Sequence, residues 1–218
     1  MFTELIDRLR CPQPHEDSWL VATSTRTGNR HILDGKLGCP VCKTTFDIVD
    51  GEVMFTSAPV LRSAITLDDD AAFRLAAQLH LVEAPKPILL VGQWSRAVAP
   101  LRRIVRTVTM FVGDATSTVT QDERVSTLRL PTSGIPLATG VLRGLALDRA
   151  HGGEVYVLDA ARVLSTAGRL VVPSRVVLDT ALWRTLASDT DVTVAERLPV
   201  ASAPIALRRA PAQPLFEV

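Results

Sequence analysis

Residues 87–100 read PILLVGQWSRAVAP, an apolar run followed by a polar turn. Ile88 to Val91 is a short, fully apolar run bounded by Pro87 and Gly92, a pattern typical of a buried parallel strand. In ligand-binding α/β folds the turn after such a strand passes close to the ligand and usually contains several glycines. This turn contains only Gly92, followed by the sequence QWSR. The strand pattern is therefore present, whereas the ligand-binding turn is altered.

The overall composition predicts a soluble protein that is either well buried or has an exposed apolar face. The chain has 218 residues, which is enough for one good core and a small additional module. Apolar residues make up 47% of the chain and the mean hydropathy is +0.21, yet no apolar run reaches the roughly 18 residues of a membrane span. A net charge of +1 produces no strong electrostatic attraction to nucleic acid or to a membrane surface. We expect no membrane span, and an exposed apolar face would indicate a protein partner or self-association.

The N-terminus predicts a cytoplasmic location. Residues Met1 to Arg10 mix charged and apolar side chains and lack the apolar core of a signal peptide. In a reducing compartment the three cysteines are more readily metal ligands or free thiols than disulfides.

The cysteine spacing predicts a structural zinc site. Cys39-x-x-Cys42 is a metal knuckle, and Cys11 with His15 lies upstream in the same β-rich segment. Cys11, His15, Cys39 and Cys42 form a Cys3His set, which is typical of closed structural zinc sites. His31 is the competing fourth ligand, and three free cysteines without metal are the remaining alternative.

Two motifs in the first 58 residues resemble the Trm112-type zinc-ribbon domain. The first motif is LIDRLRCP at residues 5–12; the second is Leu37-x-Cys39-x-x-Cys42, followed by Phe46, Ile48 and the Asp50-Gly51 turn. The resemblance implies a helix leading into a Cys-Pro knuckle, and a small domain that binds methyltransferases or is fused to them. The second upstream cysteine of the family would fall at Pro14, so His15 is predicted to replace it.

The rest of the chain predicts an α/β domain. After a linker and helix at 59–86, strands and helices alternate, which implies a Rossmann-like, mostly parallel sheet with helices on both faces. Strands are predicted at 88–91, 107–112, 124–130, 170–172 and 192–198, with 138–147 as a strand leading into a helix and 205–208 as a further edge. Helices are predicted at 71–82, 97–105, 155–164 and 176–187, the third burying Val155, Leu158, Ala161 and Val163 and ending in a turn at 167–169.

Two segments of this region resemble a class I, S-adenosylmethionine-dependent methyltransferase of the type 11 kind. They are LPTSGIPLATGVLRGLAL at 130–147 and LDAARVLSTAGRLVV at 158–172. The resemblance runs from about residue 87 to 172 and implies a methyltransferase-like domain at 87–200, followed by an extended tail at 201–218. It also implies S-adenosylmethionine as a cofactor.

The cofactor positions implied by this resemblance are degenerate. The family's loop is acidic-x-Gly-x-Gly-x-Gly, whereas Gly92 is the only glycine here and Trp94 places a large ring on the cofactor path. Asp114 matches the acid that binds the ribose. The acid after the third strand is replaced by Leu128 or Leu130, and the segment after Asp114 is too short for a full helical crossover.

Two functions follow as hypotheses. One is a non-catalytic, methyltransferase-like binding or scaffold subunit with a zinc ribbon. The alternative is an active methyltransferase acting on RNA, a protein or a small molecule. His151 is interpreted as a surface loop histidine or, alternatively, a base. Arg102, Arg103 and Arg106 form either a solvated helix face or an RNA-contacting side.

Overall fold

One sheet of eleven strands runs through the part of the chain described by the computed structural model, residues 1–60, 67–81 and 86–199. The strands are β1 (Val21–Gly28), β2 (His31–Gly38), β3 (Thr45–Val49), β4 (Glu52–Met54), β5 (Ile88–Val91), β6 (Met110–Gly113), β7 (Val125–Arg129), β8 (Leu142–Ala146), β9 (Leu164–Pro173), β10 (Trp183–Ser188) and β11 (Val192–Arg197). The α-helices are α1 (Asp69–Gln78), α2 (Val98–Ile104) and α3 (Glu154–Val163), and the 3-10 helices are Thr3–Arg8 and Gly92–Ala97.

The centre of the sheet is doubly wound. The strand order is β1-β2-β3-β4-β7-β6-β5-β8-β9-β11-β10, and the five strands from β7 to β9 are parallel. Counted from β5, these five strands have the order 3-2-1-4-5, which reverses direction between β5 and β8. β11 lies antiparallel between β9 and β10. The predicted mixed α/β fold with parallel strands is therefore confirmed.

Helices cover both faces of the central sheet. The predicted strand Ile88–Val91 is β5, and all four of its side chains are buried. Leu89 and Val91 pack on the side of α3, whereas Ile88 and Leu90 pack on the side of α1 and α2. Each such side chain contributes roughly 2 kcal/mol through its removal from water. The alternating contacts explain why the run is apolar at every position.

The N-terminal strands extend the same sheet. β1 to β4 are antiparallel, and β4 then pairs in parallel with β7 through Val53 opposite Leu128 and Met54 opposite Arg129. Asp50 and Gly51 both have positive φ angles, 47° and 80°, in the turn between β3 and β4. The hairpin predicted from Asp50-Gly51 is present.

The first residues cover sheet surface that no crossover helix covers. The predicted N-terminal helix is a 3-10 helix, and Leu5, Ile6 and Leu9 are buried on the face that also carries α3. Leu9 forms a β-bridge with Leu137, and Arg10 N–H donates to the carbonyl of Pro136 at 3.0 Å. The connections at 114–124 and 130–141 contain no helix. The N-terminal segment packs on the sheet where crossover helices would otherwise lie.

Two predicted helical segments are wrong. Residues 138–147 form β8 without a helix, and 176–187 form an irregular connection followed by β10. β10 exists because it pairs with β11, with Trp183 opposite Arg197, and this long-range pairing leaves no local sequence signal.

The predicted surroundings of α3 also need correction. The turn predicted at 167–169 lies inside β9, which starts at Leu164 and has a register shift opposite β8. Val155 and Leu158 are exposed rather than buried, because α3 packs on the sheet with Val157 and Ala160 instead.

The acidic residues at the start of α1 include its N-cap, Asp68. The Asp68 side chain accepts a hydrogen bond from Ala71 N–H at 2.7 Å. The predicted edge at 205–208, the tail at 201–218 and part of the linker lie outside the described residues. Within the described ranges, no helix is long and apolar enough to span a membrane.

Candidate functional site

The four predicted zinc ligands come together. The ligand atoms of Cys11, His15, Cys39 and Cys42 all lie within 4.8 Å of one another. The Cys11 and Cys42 sulfurs are 3.7 Å apart, and the Cys39 sulfur is 3.4 Å from His15 Nε2. The bridge between Arg10 and Trp19 sets the first knuckle, and β2 leads into the second.

These distances fit a tetrahedral zinc ion. With zinc–sulfur bonds of about 2.3 Å, two sulfurs at tetrahedral positions lie about 3.8 Å apart, close to the observed separation. All three cysteines are free thiols. Hydrogen bonds with the side chain and backbone of Thr44 lower the pKa of Cys42 to about 6, which favours the thiolate that binds metal. Four protein donors leave no open position, so the group fits a structural ion.

His31 lies away from this cluster. Its ring packs against Phe2 with centroids 5.2 Å apart, and its Nδ1 is 3.0 Å from the Asn29 carbonyl. The structure therefore brings His15, and not His31, to the three cysteines.

A cavity of about 570 Å³ lies at the carboxyl ends of β5, β6 and β8. Its wall includes Gly92, Asp114, Asp148, His151 and Tyr156. This is the point where the strand order reverses, which is where doubly wound sheets bind ligands. Gly92 and Asp114, both predicted cofactor positions, thus lie in one cleft, whereas Trp94 is not among the residues that line it.

The Asp148 carboxylate occupies the space in front of the turn after β5. Gly92 has a φ of 61°, and a methyl group added to it would overlap this carboxylate. Gln93 N–H donates to Asp148 Oδ2 at 3.0 Å. The backbone donor that a ligand would use at this turn is therefore already bound by a side chain of the same protein.

His151 links the two carboxylates across the cleft. Its Nδ1 is 2.8 Å from Asp148 Oδ1, and its Nε2 is 2.9 Å from Asp114 Oδ2. The other oxygen of Asp114 accepts a hydrogen bond from Leu130 N–H at 3.1 Å. Both oxygens of the predicted ribose acid are thus engaged by protein groups. The His151 side chain is only 14% exposed, so its interpretation as a surface loop residue is wrong.

Trp94 and Ser95 fix the turn after β5 to the neighbouring strands. Trp94 Nε1–H donates to the Leu147 carbonyl at 3.1 Å, and its ring packs with the cluster on the side of α1 and α2. The buried Ser95 hydroxyl accepts hydrogen bonds from Thr116 N–H and Ser117 N–H at 3.1 and 3.2 Å. These contacts hold the turn in place.

The three charged groups in the cleft stabilise one another. Burial disfavours the charged form of His151, but the hydrogen bonds to Asp114 and Asp148 outweigh it and raise its pKa to about 9. Burial likewise opposes ionisation of Asp148, yet its hydrogen bonds to His151 and Gln93 bring its pKa below the usual value. At neutral pH His151 is therefore an imidazolium that bridges Asp114 and Asp148.

This network predicts a loss of stability at alkaline pH. The folded-state pKa of His151 lies above the ordinary value of 6.5, so its contribution is complete below about pH 6.5 and is lost as the pH rises through about 9. We expect a loss of about 1–2 kcal/mol in the free energy of unfolding, after allowing for solvent screening. Urea denaturation between about pH 6 and pH 10 measures it.

The matched control for this pH effect is His151→Gln, which retains hydrogen-bonding capacity but does not titrate. The difference in unfolding free energy between wild type and this variant should shrink as the pH passes about 9. A difference that stays constant over this range would contradict the charged bridge.

The arginines near α2 have partners within the chain. Arg102 pairs with Asp122, and Arg103 pairs with Asp69. The backbone carbonyl of Arg106 accepts a hydrogen bond from the Arg124 side chain. The first two contacts suit the solvated helix face better than an RNA-contacting side.

Sequence reasoning missed Asp148 entirely. It follows the apolar residues at the end of β8, and an acid at the carboxyl end of a parallel strand is the available signal. The contact with Gly92 depends on the packing of β5 beside β8, which local patterns do not specify.

Comparisons with known proteins give limited similarity. No family model and no curated protein matches the chain. Among solved structures, the [4+2]-cyclase SpnF is 15% identical with a TM-score of 0.36, covering 53% of this chain and 51% of that one. Geranyl diphosphate methyltransferase in complex with SAM is 14% identical with a TM-score of 0.37, covering 49% and 48%.

A third similar structure is geranyl diphosphate C-methyltransferase from Streptomyces coelicolor A3(2) in complex with Mg²⁺, geranyl-S-thiolodiphosphate and S-adenosyl-L-homocysteine. It is 14% identical with a TM-score of 0.37, covering 49% of this chain and 43% of that one. The chain thus spans about half the length of the solved structures that it matches.

Proposed function

We propose that this protein is a non-catalytic binding subunit, built from a Trm112-like zinc ribbon and a methyltransferase-like domain in which the protein's own side chains engage the groups that would bind the cofactor. The observation that carries the proposal is the bridge from Asp114 through His151 to Asp148. The bridge engages the acid that would bind the ribose of S-adenosylmethionine. It also places a carboxylate against Gly92, where the cofactor would approach the backbone.

The residues present do not fit S-adenosylmethionine. The turn after β5 lacks the glycines that allow close backbone approach, and its Gln93 N–H already donates to Asp148. The position after β7 carries Leu130, which is buried at 2% exposure and packs over Gly113. An apolar side chain offers no hydrogen bond to the polar groups of the cofactor. We therefore assign no catalytic residue.

The zinc cluster supports a structural role for the ribbon. The four donors of the Cys3His group close the coordination shell, so a bound ion would hold the two knuckles together without reacting. Zinc would supply folding energy to the β1–β4 strands, which share a sheet with the α/β part.

Exposed apolar residues beside the knuckles support a protein partner. Trp19 lies opposite Arg10, next to Cys11, and Val21 lies opposite Gly38, next to Cys39. Trp19, Val21 and Val41 are all exposed. Large apolar side chains grouped on a surface are typical of interaction sites. The partner would be a protein with a complementary apolar surface, or a second copy of this chain.

A methyl-transfer assay tests the proposal against the alternative of an active methyltransferase. Purified zinc-loaded protein is incubated with methyl-labelled S-adenosylmethionine and with RNA, protein and small-molecule fractions of cell extract. We expect no label in any fraction above a control without the protein. Label that depends on the protein and is lost in Asp114→Asn would favour the enzyme instead.

A further inference from the structure

The cavity at the carboxyl ends of β5, β6 and β8 has an apolar wall beside the Asp114–His151–Asp148 bridge. Its volume is about 570 Å³, and the apolar residues of the wall include Ala58, Pro59, Val60, Leu130 and Ala150. Residues 56–60 reach this edge of the sheet because β4 is parallel to β7, so the chain leaves β4 where the parallel strands end. An apolar cavity with a few polar groups is the usual form of a small-molecule site.

The Asp148 carboxylate has no remaining capacity to bind a ligand. Its Oδ1 accepts hydrogen bonds from Ala150 N–H, His151 N–H and His151 Nδ1–H at 3.0, 3.2 and 2.8 Å. Its Oδ2 accepts one from Gln93 N–H at 3.0 Å. An ionised carboxylate offers about four acceptor sites, and these four donors fill them.

The Asp114 carboxylate, in contrast, has about half of its capacity left. Within the described part of the chain, one oxygen accepts from Leu130 N–H at 3.1 Å and the other from His151 Nε2–H at 2.9 Å. About two acceptor sites therefore have no partner among these residues. Asp114 is only 9% exposed and lines the cavity, so a ligand in the cavity is what can reach these sites.

The charged and aromatic donors of the cavity are used inside the protein. Both ring N–H groups of His151 donate to the two bridged carboxylates. Tyr156 O–H donates to the Pro131 carbonyl at 3.0 Å, and Thr116 O–H donates to the Gly92 carbonyl at 3.2 Å. Two carboxylates and one imidazolium also give the cavity a formal charge of −1. The cavity therefore favours a ligand that donates hydrogen bonds and carries positive charge.

A metal ion fits these groups less well than an organic cation. Asp114 and Asp148 contact different nitrogens of the His151 ring, so they approach the ring from different sides. Magnesium and calcium require several oxygens that converge on one point. An organic cation needs only one carboxylate for its charged group and can place its remaining atoms against the apolar wall.

We propose that this cavity binds a small organic amine in its protonated form, with the ammonium group on Asp114 and an apolar body against residues 58–60 and Leu130. The ammonium supplies both the donors and the charge, and the apolar body needs no polar partner. S-adenosylmethionine lacks this match, because its carboxylate needs donors and Gln93 N–H already donates to Asp148. The site rests on the proposed function, since it uses the same bridge.

Titration calorimetry on the full, zinc-loaded chain tests the site with three probes of similar shape. At about pH 7 these are the cation of 2-naphthylmethylamine, the neutral 2-naphthylmethanol and the anion 2-naphthoate. The amine should bind with a Kd of about 100 μM, at least about tenfold more tightly than the alcohol. The naphthoate should give no binding heat at concentrations up to about 5 mM.

Three variants locate the bound amine. Asp114→Asn should weaken amine binding at least about tenfold and leave the affinity for the alcohol nearly unchanged. Asp47→Asn, which removes the same charge from an exposed side chain of β3, is the matched control and should change neither affinity. Ala58→Trp, at an exposed position of the wall, should block the amine even if Asp114→Asn does not fold. Urea denaturation establishes which variants are folded.

Three results would overturn the proposal. No binding heat with the amine up to about 5 mM would remove the site, and similar affinities for all three probes would show that charge is not recognised. Unchanged amine binding in both Asp114→Asn and Ala58→Trp would place the amine elsewhere. None of these results contradicts the proposed function, which fails only if S-adenosylmethionine binds or methyl transfer is detected.

Discussion

Replacing Cys39 with serine is expected to remove the zinc ion and to lower the free energy of unfolding by about 5 kcal/mol. Cys39 is buried, and its sulfur is 3.4 Å from His15 Nε2 in the four-ligand cluster. A serine hydroxyl is a poor zinc ligand, because thiolate and imidazole are the donors that zinc favours. The loss of stability should extend from β1–β4 to the central sheet, since β4 pairs with β7. Thermal unfolding with metal analysis of the purified variant measures both effects.

The matched control is Val41→Ser, which changes an exposed residue inside the same knuckle without removing a ligand. It should retain one zinc per chain and the wild-type unfolding temperature. His15→Ala should lose the metal, whereas His31→Ala should keep it even if it is less stable. Full zinc occupancy in Cys39→Ser would contradict the assignment of the cluster.

Replacing Gly92 with alanine is the second large effect that we expect. The substitution should lower the free energy of unfolding by about 3 kcal/mol. One part of the cost is the φ of 61°, which side chains other than glycine rarely adopt. The other part is the overlap of the new methyl group with the Asp148 carboxylate. To relieve it, Asp148 must move away from Gln93 and His151.

Gly140→Ala separates these two contributions. Gly140 has a similar φ of 65°, but a methyl group added to it would have no neighbour within 4 Å. Its substitution should therefore lower the free energy of unfolding by only about 1 kcal/mol, which is the cost of the unfavourable φ alone. Equal costs at Gly92 and Gly140 in urea denaturation would contradict the close contact between the turn and Asp148.

The sequence was a good guide to strands with a local signal. The run Ile88–Val91, bounded by proline and glycine, is β5, and the Asp50-Gly51 turn closes a hairpin as predicted. Four side chains separated by up to 31 positions were grouped correctly, because knuckle spacing constrains cysteine and histidine strongly.

Features that depend on long-range packing were not predictable in the same way. The apolar spacing from Val176 to Ala187 suggested a helix, yet its last five residues belong to β10, which pairs with β11. The buried face of α3 was assigned in part to Val155 and Leu158, which are instead exposed. Helical periodicity predicts that a helix has an apolar stripe, but the packing of neighbouring elements determines which of its residues are buried.

The cleft shows the same limit. Trp94 was expected on the cofactor path, whereas its ring packs on the side of α1 and α2. His151 and Asp148 make the contacts across the cleft instead. His151 carried no local signal, because its position between two acids arises only when β6 and β8 lie on either side of β5.

Titration calorimetry with S-adenosylmethionine tests most directly whether the internal contacts of the cleft exclude the cofactor. The wild-type, zinc-loaded protein is titrated at about pH 7, where His151 is charged. We expect no binding heat at ligand concentrations up to about 1 mM, because the chain's own groups hold Asp114, Gly92 and Gln93. Saturable binding with a Kd of about 10 μM or tighter would contradict the account.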